Sequence, residues 1–187
     1  EEELDHYANT NPEIRFIIAP HEVEEARILE VEKLFKYSVR YSRFMKRETL
    51  DANQPHTSRP TSYAPNVLII DNIGLLSRLY RYATICWVGG GFGSDGVHNV
   101  LEAAVYGKPV VFGPVYDKYL EAVELVGSGG GFSVENALEA ETLFTSFLID
   151  KDEYDLACEA SREYVYAKKG ATERITAFIQ ENRLLTN

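Results

Sequence analysis

The fold is decided by residues 86–114, which read CWVGGGFGSDGVHNVLEAAVYGKPVVFGP. An apolar strand at 85–88 leads into a glycine-dense turn, helical periodicity covers 97–107, and a second apolar strand follows at 110–112. A strand, a glycine loop, a helix and a strand in this order predict one parallel crossover unit. Its loop presents backbone N–H groups to an anion at the start of the helix, and we expect the phosphate of a nucleotide there.

The same alternation of apolar runs and helical periodicity extends along the rest of the chain. Strands are predicted at 14–19, 38–44, 67–70, 85–88, 110–112 and 131–134. Helices are predicted at 1–7, 22–35, 75–83, 97–107, 117–126, 137–148, 153–167 and 171–184. Strands without polar alternation, each followed by a helix, indicate a parallel sheet covered on both faces. The fold class is therefore α/β and Rossmann-like, with ligand loops after residues 19, 70 and 88.

Composition limits the domain organisation and the classes of partner. The chain has 187 residues, 45% hydrophobic and 26% charged, which favours a single domain over 1–187. Its net charge of −10 opposes binding to nucleic acid. Segment 46–66 is rich in Pro, Ser, Thr and Asn and predicts a mobile loop. The chain begins inside a helix and without Met, so we expect it to be part of a longer protein.

The two cysteines and the hydropathy profile give two further predictions. Cys86 falls in a predicted strand and Cys158 in a predicted helix, so both are expected to be packed thiols and not a disulfide. No apolar run approaches the roughly 20 residues that a transmembrane helix needs. We therefore expect the chain itself to be soluble.

The glycine loop contains Gly91-x-Gly93-x-x-Gly96, which formally matches the dinucleotide fingerprint. That fingerprint should close the first strand of the fold, whereas here several strand-helix units precede it. The next strand should also end in an acid that binds the ribose, but it ends in Gly113-Pro114. A nicotinamide site is the less favoured interpretation.

Glu102 is the alternative acid for a ribose. His98 and Asn99 precede it by four and three residues, so a helix opening at Val97 would place all three side chains on one face. A carboxylate one turn into the helix is well placed to accept hydrogen bonds from a ribose diol. We therefore predict a phosphate cradle and a ribose clamp. They consist of Gly91, Gly93, Ser94, Gly96 and Asn99 for the phosphate, and Glu102 for the ribose.

Simpler interpretations of these residues stay open. The run 89–91 could only permit a tight turn, and Glu102 could be a solvated acid favoured by the helix dipole. His98 could orient a neighbour or a phosphate, or could simply pack. The GSGGG run at 127–131 is interpreted as a helix C-cap and turn without a ligand.

With these residues in place, the chain resembles the C-terminal domain of 3-deoxy-D-manno-octulosonic acid (Kdo) transferases. The resemblance covers nearly the whole chain and rests on three stretches. They are Gly96-Val97-His98-Asn99-Val100-Leu101-Glu102-Ala103-Ala104 followed by Pro109-Val110 and Gly113-Pro114, then Ile17-Ile18-Ala19-Pro20, and Asp71-Asn72-Ile73-Gly74-Leu75-Leu76. The first matches the family's G-x-HN-x-LE-A-A and P-V-x-x-GP pattern, the second its proline-ended strand, and the third its D-T-M-G-E-L loop.

The resemblance implies a glycosyltransferase-B fold whose C-terminal domain binds the activated sugar CMP-Kdo. Such enzymes invert the anomeric centre, need no metal or other cofactor, and transfer Kdo to a lipid A precursor in lipopolysaccharide biosynthesis. They work at the cytoplasmic face of the bacterial inner membrane. Their catalytic base, membrane anchor and acceptor site belong to an N-terminal domain, so no catalytic residue is expected in this chain.

The resemblance also implies roles for particular residues. Glu102 would hold the cytidine ribose, while Gly96 and Asn99 would hold the phosphate. The loop Asn72-Ile73-Gly74 would contact the cytosine, and Pro20 with His21 would border the base and phosphate.

Two departures from the family pattern affect these roles. His21 stands where many members have arginine, and an imidazole does not reproduce the bidentate hydrogen bonds of a guanidinium. Lys118-Tyr119 replaces a frequent Asn-Phe, which makes Lys118 a possible partner for the donor's carboxylate or phosphate or else an ordinary surface lysine.

Three other functions stay open. A glycosyltransferase-B enzyme that uses another nucleotide sugar should bind UDP as well as CMP. A nicotinamide-dependent oxidoreductase should bind NAD. A non-catalytic α/β interaction module should bind no nucleotide.

Overall fold

The computed structural model describes residues 5–51 and 65–185. The chain divides into two compact units, Glu1–Leu79 and Tyr80–Asn187. Each unit contains a three-stranded sheet in which every strand pair is parallel. The predicted parallel α/β class is confirmed. The single domain over 1–187 stays a prediction.

In the first unit the strands are β1 (Phe16–Ile18), β2 (Ser38–Arg40) and β3 (Val67–Ile69), in the sheet order β1-β3-β2. The helices are α1 (Asp5–Thr10), α2 (Glu25–Leu34), α3 (Tyr41–Asp51) and α4 (Leu76–Leu79). Buried apolar side chains from α1, α2 and the central strand form the core, namely Ala8, Ile28, Val31, Phe35, Val67 and Ile69. Asn66 is also buried, and its side-chain amide donates to the Ala8 carbonyl at 2.8 Å, which fastens α1 to the start of β3.

In the second unit the strands are β4 (Cys86–Val88), β5 (Val110–Phe112) and β6 (Gly131–Ser133), in the order β4-β5-β6. A 3₁₀ helix (Tyr80–Tyr82) precedes them, and the α-helices are α5 (Leu101–Ala104), α6 (Leu120–Ser128), α7 (Ala137–Ile149), α8 (Lys151–Lys168) and α9 (Ala171–Glu181). All three residues of the central strand β5 are fully buried, as expected for a strand covered on both faces.

The predicted strand at 38–44 is wrong beyond Arg40, because a helix starts at Tyr41. The physical reason lies 29 residues away along the chain. The Asp71 carboxylate accepts hydrogen bonds from the backbone N–H of Ser42 at 3.0 Å and from its hydroxyl, which caps the helix. The loop predicted at 46–66 is wrong for its first residues as well, since α3 continues to Asp51. Residues 52–64 of that loop lie outside the described residues.

Two smaller predictions are confirmed, namely the helix end in the GSGGG run and the free thiols. Gly129 is the C-cap of α6 with φ 87°, so the GSGGG run does end a helix. Cys86 and Cys158 are free thiols, the first buried and the second half-buried. Within the part of the chain that the structure describes, no helix has the length and hydropathy that crossing a membrane requires.

Candidate nucleotide-binding site

The glycine loop after β4 is closed by backbone hydrogen bonds. The N–H of Gly93 donates to the Gly90 carbonyl at 3.0 Å, and the N–H of His98 donates to the Gly89 carbonyl at 3.0 Å. The loop therefore folds back on itself and returns to the end of the strand from which it started.

The same loop is bonded to the turn that follows β5. The N–H of Val97 donates to the Val115 carbonyl at 3.0 Å, and the N–H of Val115 donates to the Gly91 carbonyl at 2.8 Å. Two loops at the carboxyl ends of neighbouring parallel strands are thus joined, which is the edge where ligands of such sheets bind.

Gly91 and Gly113 touch each other through their backbones where these two loops meet. A Cβ atom added to Gly91 would lie 2.7 Å from the Gly113 nitrogen, and one added to Gly113 would lie 2.6 Å from the Gly91 carbonyl carbon. Real Cβ atoms do not approach backbone atoms so closely. Both glycines are therefore required by close approach and not only by a tight turn.

The need for glycine at position 96 comes from a different neighbour, Tyr119. Gly96 has φ 82°, and a Cβ atom there would lie 2.5 Å from Cε2 of Tyr119. The Tyr119 hydroxyl donates a hydrogen bond to the carbonyl of Asp95. Tyr119 was not predicted as a functional residue, because nothing in the local sequence pattern places its ring against Gly96.

The helix predicted at 97–107 is wrong at both ends, since α5 covers only Leu101–Ala104. The physical reason at its start is the pair of long-range hydrogen bonds from Val97 and His98, which hold these residues out of a helix. His98, Asn99 and Glu102 consequently do not share a helix face, and the first two lie before α5.

Asn99 and Glu102 are nevertheless brought together. The N–H of Leu101 donates to Oδ1 of Asn99 at 3.1 Å, so the asparagine side chain caps the short helix. Its amide nitrogen donates to Oε1 of Glu102 at 3.2 Å. Both residues are exposed. A hydroxyl-bearing ligand can therefore reach a carboxylate whose direction an intramolecular hydrogen bond already fixes.

His98 is exposed, with its ring beside the backbone of the preceding turn. A Cβ atom added to Gly90 would lie 3.1 Å from Cδ2 of the imidazole. Ser94 and Gly93 are also exposed, whereas Gly91 and Gly96 are buried. Among residues 5–51 and 65–185, none accepts a hydrogen bond from the backbone N–H of Ser94 or Gly96. The N–H groups of Ser94, which is exposed, and of Gly96, which is buried, thus have no hydrogen-bond partner among the described residues, while that of Gly93 is used within the loop.

The pKa shifts of Tyr80 and Cys86, which precede the glycine loop in the chain, favour a structural role for both side chains. Burial raises the pKa of Tyr80 to about 12, and the thiol of Cys86 and the charge of Glu102 add to this shift. Burial likewise raises the pKa of the Cys86 thiol to about 12, so this cysteine is not an activated nucleophile.

Lys118 lies exposed in the turn before α6. This position suits both interpretations of Lys118, a partner for the donor's carboxylate or phosphate and an ordinary surface lysine.

In the first unit the predicted residues lie at the carboxyl edge of the other sheet. Pro20 is buried and His21 exposed in the segment after β1, while Asn72, Ile73 and Gly74 are exposed after β3. Strands β1 and β3 are neighbours with Ile18 opposite Ile69, so the two segments start side by side. The side chain of Ile73 is 86% exposed, which leaves an apolar surface for contact with a planar base.

Asp71, at the start of this second loop, is hydrogen-bonded to Ser42 and was not predicted as a functional residue. Burial would raise the pKa of Asp71, but the hydrogen bonds from Ser42, a backbone hydrogen bond of Asp71 itself and the charge of Arg40 together leave the pKa below its ordinary value. Arg40, only 6% exposed, lies at the end of β2 and binds Glu25 at 2.8 Å and Glu32 at 2.7 Å. Hydrogen bonds to Glu32 and Glu25 raise the pKa of Arg40, so it stays charged.

The structure thus brings the predicted residues together in two sets, one in each unit. The first set is Pro20, His21, Asn72, Ile73 and Gly74, and the second is Gly91, Gly93, Ser94, Gly96, His98, Asn99, Glu102 and Lys118. Within the described residues, no group of three or more His, Cys, Asp or Glu side chains is arranged to hold a metal ion. The absence of a metal requirement stays a prediction.

Comparison with known proteins found relatives that are longer than this chain. No protein-family model matches. A 3-deoxy-D-manno-octulosonic acid transferase from Aquifex aeolicus is 33% identical over 155 residues, which are 82% of this chain and 39% of the relative. A bifunctional glycosyltransferase/methyltransferase from Fusobacterium nucleatum is 31% identical over 64% of this chain and 16% of its own length. The chain therefore spans less than half the length of either relative.

A solved structure has a similar fold. It is the C-terminal CMP-Kdo binding domain of WaaA from Acinetobacter baumannii, with a TM-score of 0.69 and 21% identity. The similarity covers 88% of this chain and 80% of that domain.

Proposed function

The chain is homologous to 3-deoxy-D-manno-octulosonic acid transferases and has the fold of a glycosyltransferase-B C-terminal domain, and from this we propose that it binds CMP-Kdo as the donor-binding part of such an enzyme. The observation that carries the proposal is the exposed, hydrogen-bonded pair Asn99 and Glu102 beside the closed glycine loop. This pair belongs to the G-x-HN-x-LE stretch on which the family resemblance rests.

Each predicted residue then has a task in donor binding. Glu102 accepts hydrogen bonds from the ribose diol, and the side-chain amide of Asn99 holds that carboxylate. The phosphate cradle consists of Gly91, Gly93, Ser94, Gly96 and Asn99, with His98 orienting the phosphate. In the first unit, Asn72, Ile73 and Gly74 contact the cytosine, while Pro20 and His21 border the base and the phosphate. Lys118 binds the carboxylate of the sugar.

Catalysis of this kind is mainly electrostatic on the donor side. The phosphate of CMP gains negative charge as the glycosidic bond breaks, and the N–H groups of Ser94 and Gly96 stabilise it. Because both donors belong to a loop whose hydrogen bonds exist before the reaction, little reorganisation is needed when the charge develops. We expect no metal requirement. The general base that activates the acceptor hydroxyl, and the site for a lipid A precursor, belong to a part of the enzyme outside this chain.

The full-length protein would act at the cytoplasmic face of a bacterial inner membrane, where that precursor is found. The chain alone is expected to bind donor and to transfer nothing.

A titration of the chain with CMP, UMP, UDP and NAD, followed by NMR, tests the proposal. We expect CMP to shift the amide signals of the glycine loop at the lowest concentration. Equal binding of UDP would favour the alternative of another nucleotide sugar, which the similarity to the bifunctional glycosyltransferase also permits. Binding of NAD alone would indicate an oxidoreductase. No shift with any of the four would refute nucleotide binding.

A further inference from the structure

Tyr119 is bonded through its backbone at the start of α6. Its backbone N–H donates to the Tyr116 carbonyl at 2.9 Å, and its own carbonyl accepts from Ala122 at 3.0 Å and Val123 at 3.1 Å. The backbone is thus bonded on both sides, and only two side-chain torsions remain to place the ring. The backbone from which the ring projects is therefore held by α6 and the turn before it, and not by the glycine loop.

Counting partners within residues 5–51 and 65–185, the segment that this hydroxyl reaches has few hydrogen bonds of its own. Between Gly93, bonded to Gly90, and Val97, bonded to Val115, the loop's internal side-chain contact is a long one, from the Ser94 hydroxyl to Asp95 at 3.4 Å. The bond from Tyr119 to the Asp95 carbonyl falls in the middle of this interval. It ties these residues to the start of α6.

A carbonyl held in this way determines the direction of a neighbouring donor. The carbonyl of Asp95 and the N–H of Gly96 belong to one planar trans peptide, in which they point in opposite directions. With the carbonyl directed at Tyr119, the N–H of Gly96 must point away from that ring. The ring also occupies the space of a Cβ atom on Gly96, which fits the left-handed backbone there.

We infer that Tyr119 is a positioning residue for the donor phosphate, because it turns the Asp95–Gly96 peptide so that the Gly96 N–H faces the anion. The inference rests on the proposed function for the identity of the ligand. The role belongs to the hydroxyl, since a phenyl ring fills the same space but does not hold the carbonyl.

The test compares Tyr119→Phe with the wild-type chain by NMR titration with CMP and with cytidine, which lacks the phosphate. We expect CMP to bind about 3- to 10-fold more weakly to the variant, the range for one lost hydrogen bond. Cytidine should bind both proteins equally. A general loss of structure would weaken both ligands together, so equal weakening would overturn the inference, as would unchanged CMP affinity.

Amide hydrogen exchange without ligand provides a second readout. The protected amides of Gly93 and Val97 should exchange faster in Tyr119→Phe, whereas that of Val110 in β5, bonded to the Gly130 carbonyl, should not change. Tyr116→Phe is the matched control, since it removes the same oxygen from a ring that packs on Phe112 in the same turn. Unchanged exchange at Gly93 and Val97 would overturn the inference. If the wild-type chain bound no CMP, the proposed function would fail, and exchange alone would decide whether Tyr119 orders the loop.

Discussion

The side-chain amide of Asn99 donates a hydrogen bond to Glu102 at 3.2 Å while its oxygen caps α5. One side chain thus connects the start of a helix to the proposed ribose carboxylate. Because both side chains are exposed, the contribution of this pair has to be measured as a change in ligand affinity and not as a change in the free energy of unfolding.

Glu102→Ala should weaken CMP binding by about 1–3 kcal/mol, because hydrogen bonds to an ionised carboxylate are lost. Isothermal calorimetry with CMP measures the loss. Glu163→Ala, which removes another exposed carboxylate from α8, should leave the affinity unchanged. Equal CMP affinity in wild type and Glu102→Ala would remove Glu102 from the site.

Gly96→Ala should destabilise the chain by about 1–3 kcal/mol, since alanine is strained at φ 82° and its Cβ would meet the Tyr119 ring. Urea unfolding measures the difference in unfolding free energy. Gly127 lies inside α6 with nothing within 4 Å of an added Cβ, so Gly127→Ala should instead stabilise by about 0.5–1 kcal/mol. Similar effects at both positions would contradict the described contact.

Ser42→Ala should raise the pKa of Asp71, because burial then acts without the opposing hydrogen bond from the hydroxyl. A titration of carboxyl carbons by NMR measures the pKa directly. The pKa of Asp71 in the folded chain lies below its ordinary value, so the stability that ionised Asp71 contributes is present above about pH 4 and is lost as the pH falls through the folded-state pKa. In Ser42→Ala this loss of stability should be smaller, and an unchanged titration of Asp71 would refute the assignment.

Arg40→Met should destabilise the chain by about 2–3 kcal/mol, less than for a fully buried ion pair because Glu25 is largely exposed. The variant leaves Glu32, whose side chain is only 20% exposed, without its closest cation. Arg27→Met is the matched control in the same region, since the Arg27–Glu30 pair is exposed on both sides and should contribute at most about 1 kcal/mol. Thermal or urea unfolding distinguishes the two, and equal losses would contradict a special role for Arg40.

Much of the architecture could be predicted from local pattern. Runs such as VVF at 110–112 lack polar alternation because the strand is buried on both faces, and the structure places β5 in the centre of its sheet. The glycines at 89–91, 93 and 96 also correctly predicted the turn after β4.

Two wrong predictions, the strand beyond Arg40 and the helix start at Val97, share one cause, which is hydrogen bonding between residues far apart in the chain. Val97 is kept out of a helix by the Val115 carbonyl, and α3 starts at Tyr41 because Asp71 caps it. The contact of Tyr119 with Gly96 spans 23 positions and leaves no local signature. Such partners cannot be identified from periodicity, since their effect depends on which loops the sheet order brings together.

The backbone contact between Gly91 and Gly113 constrains how this sequence can evolve. Each residue occupies the volume that a side chain on the other would need, so a change at one is not rescued by a smaller residue at the other. Among functional descendants, both positions should therefore stay glycine together. A homologue that has lost either glycine should also have a different backbone path between β4 and β5. The presence of both glycines therefore indicates that the loop arrangement described here is kept.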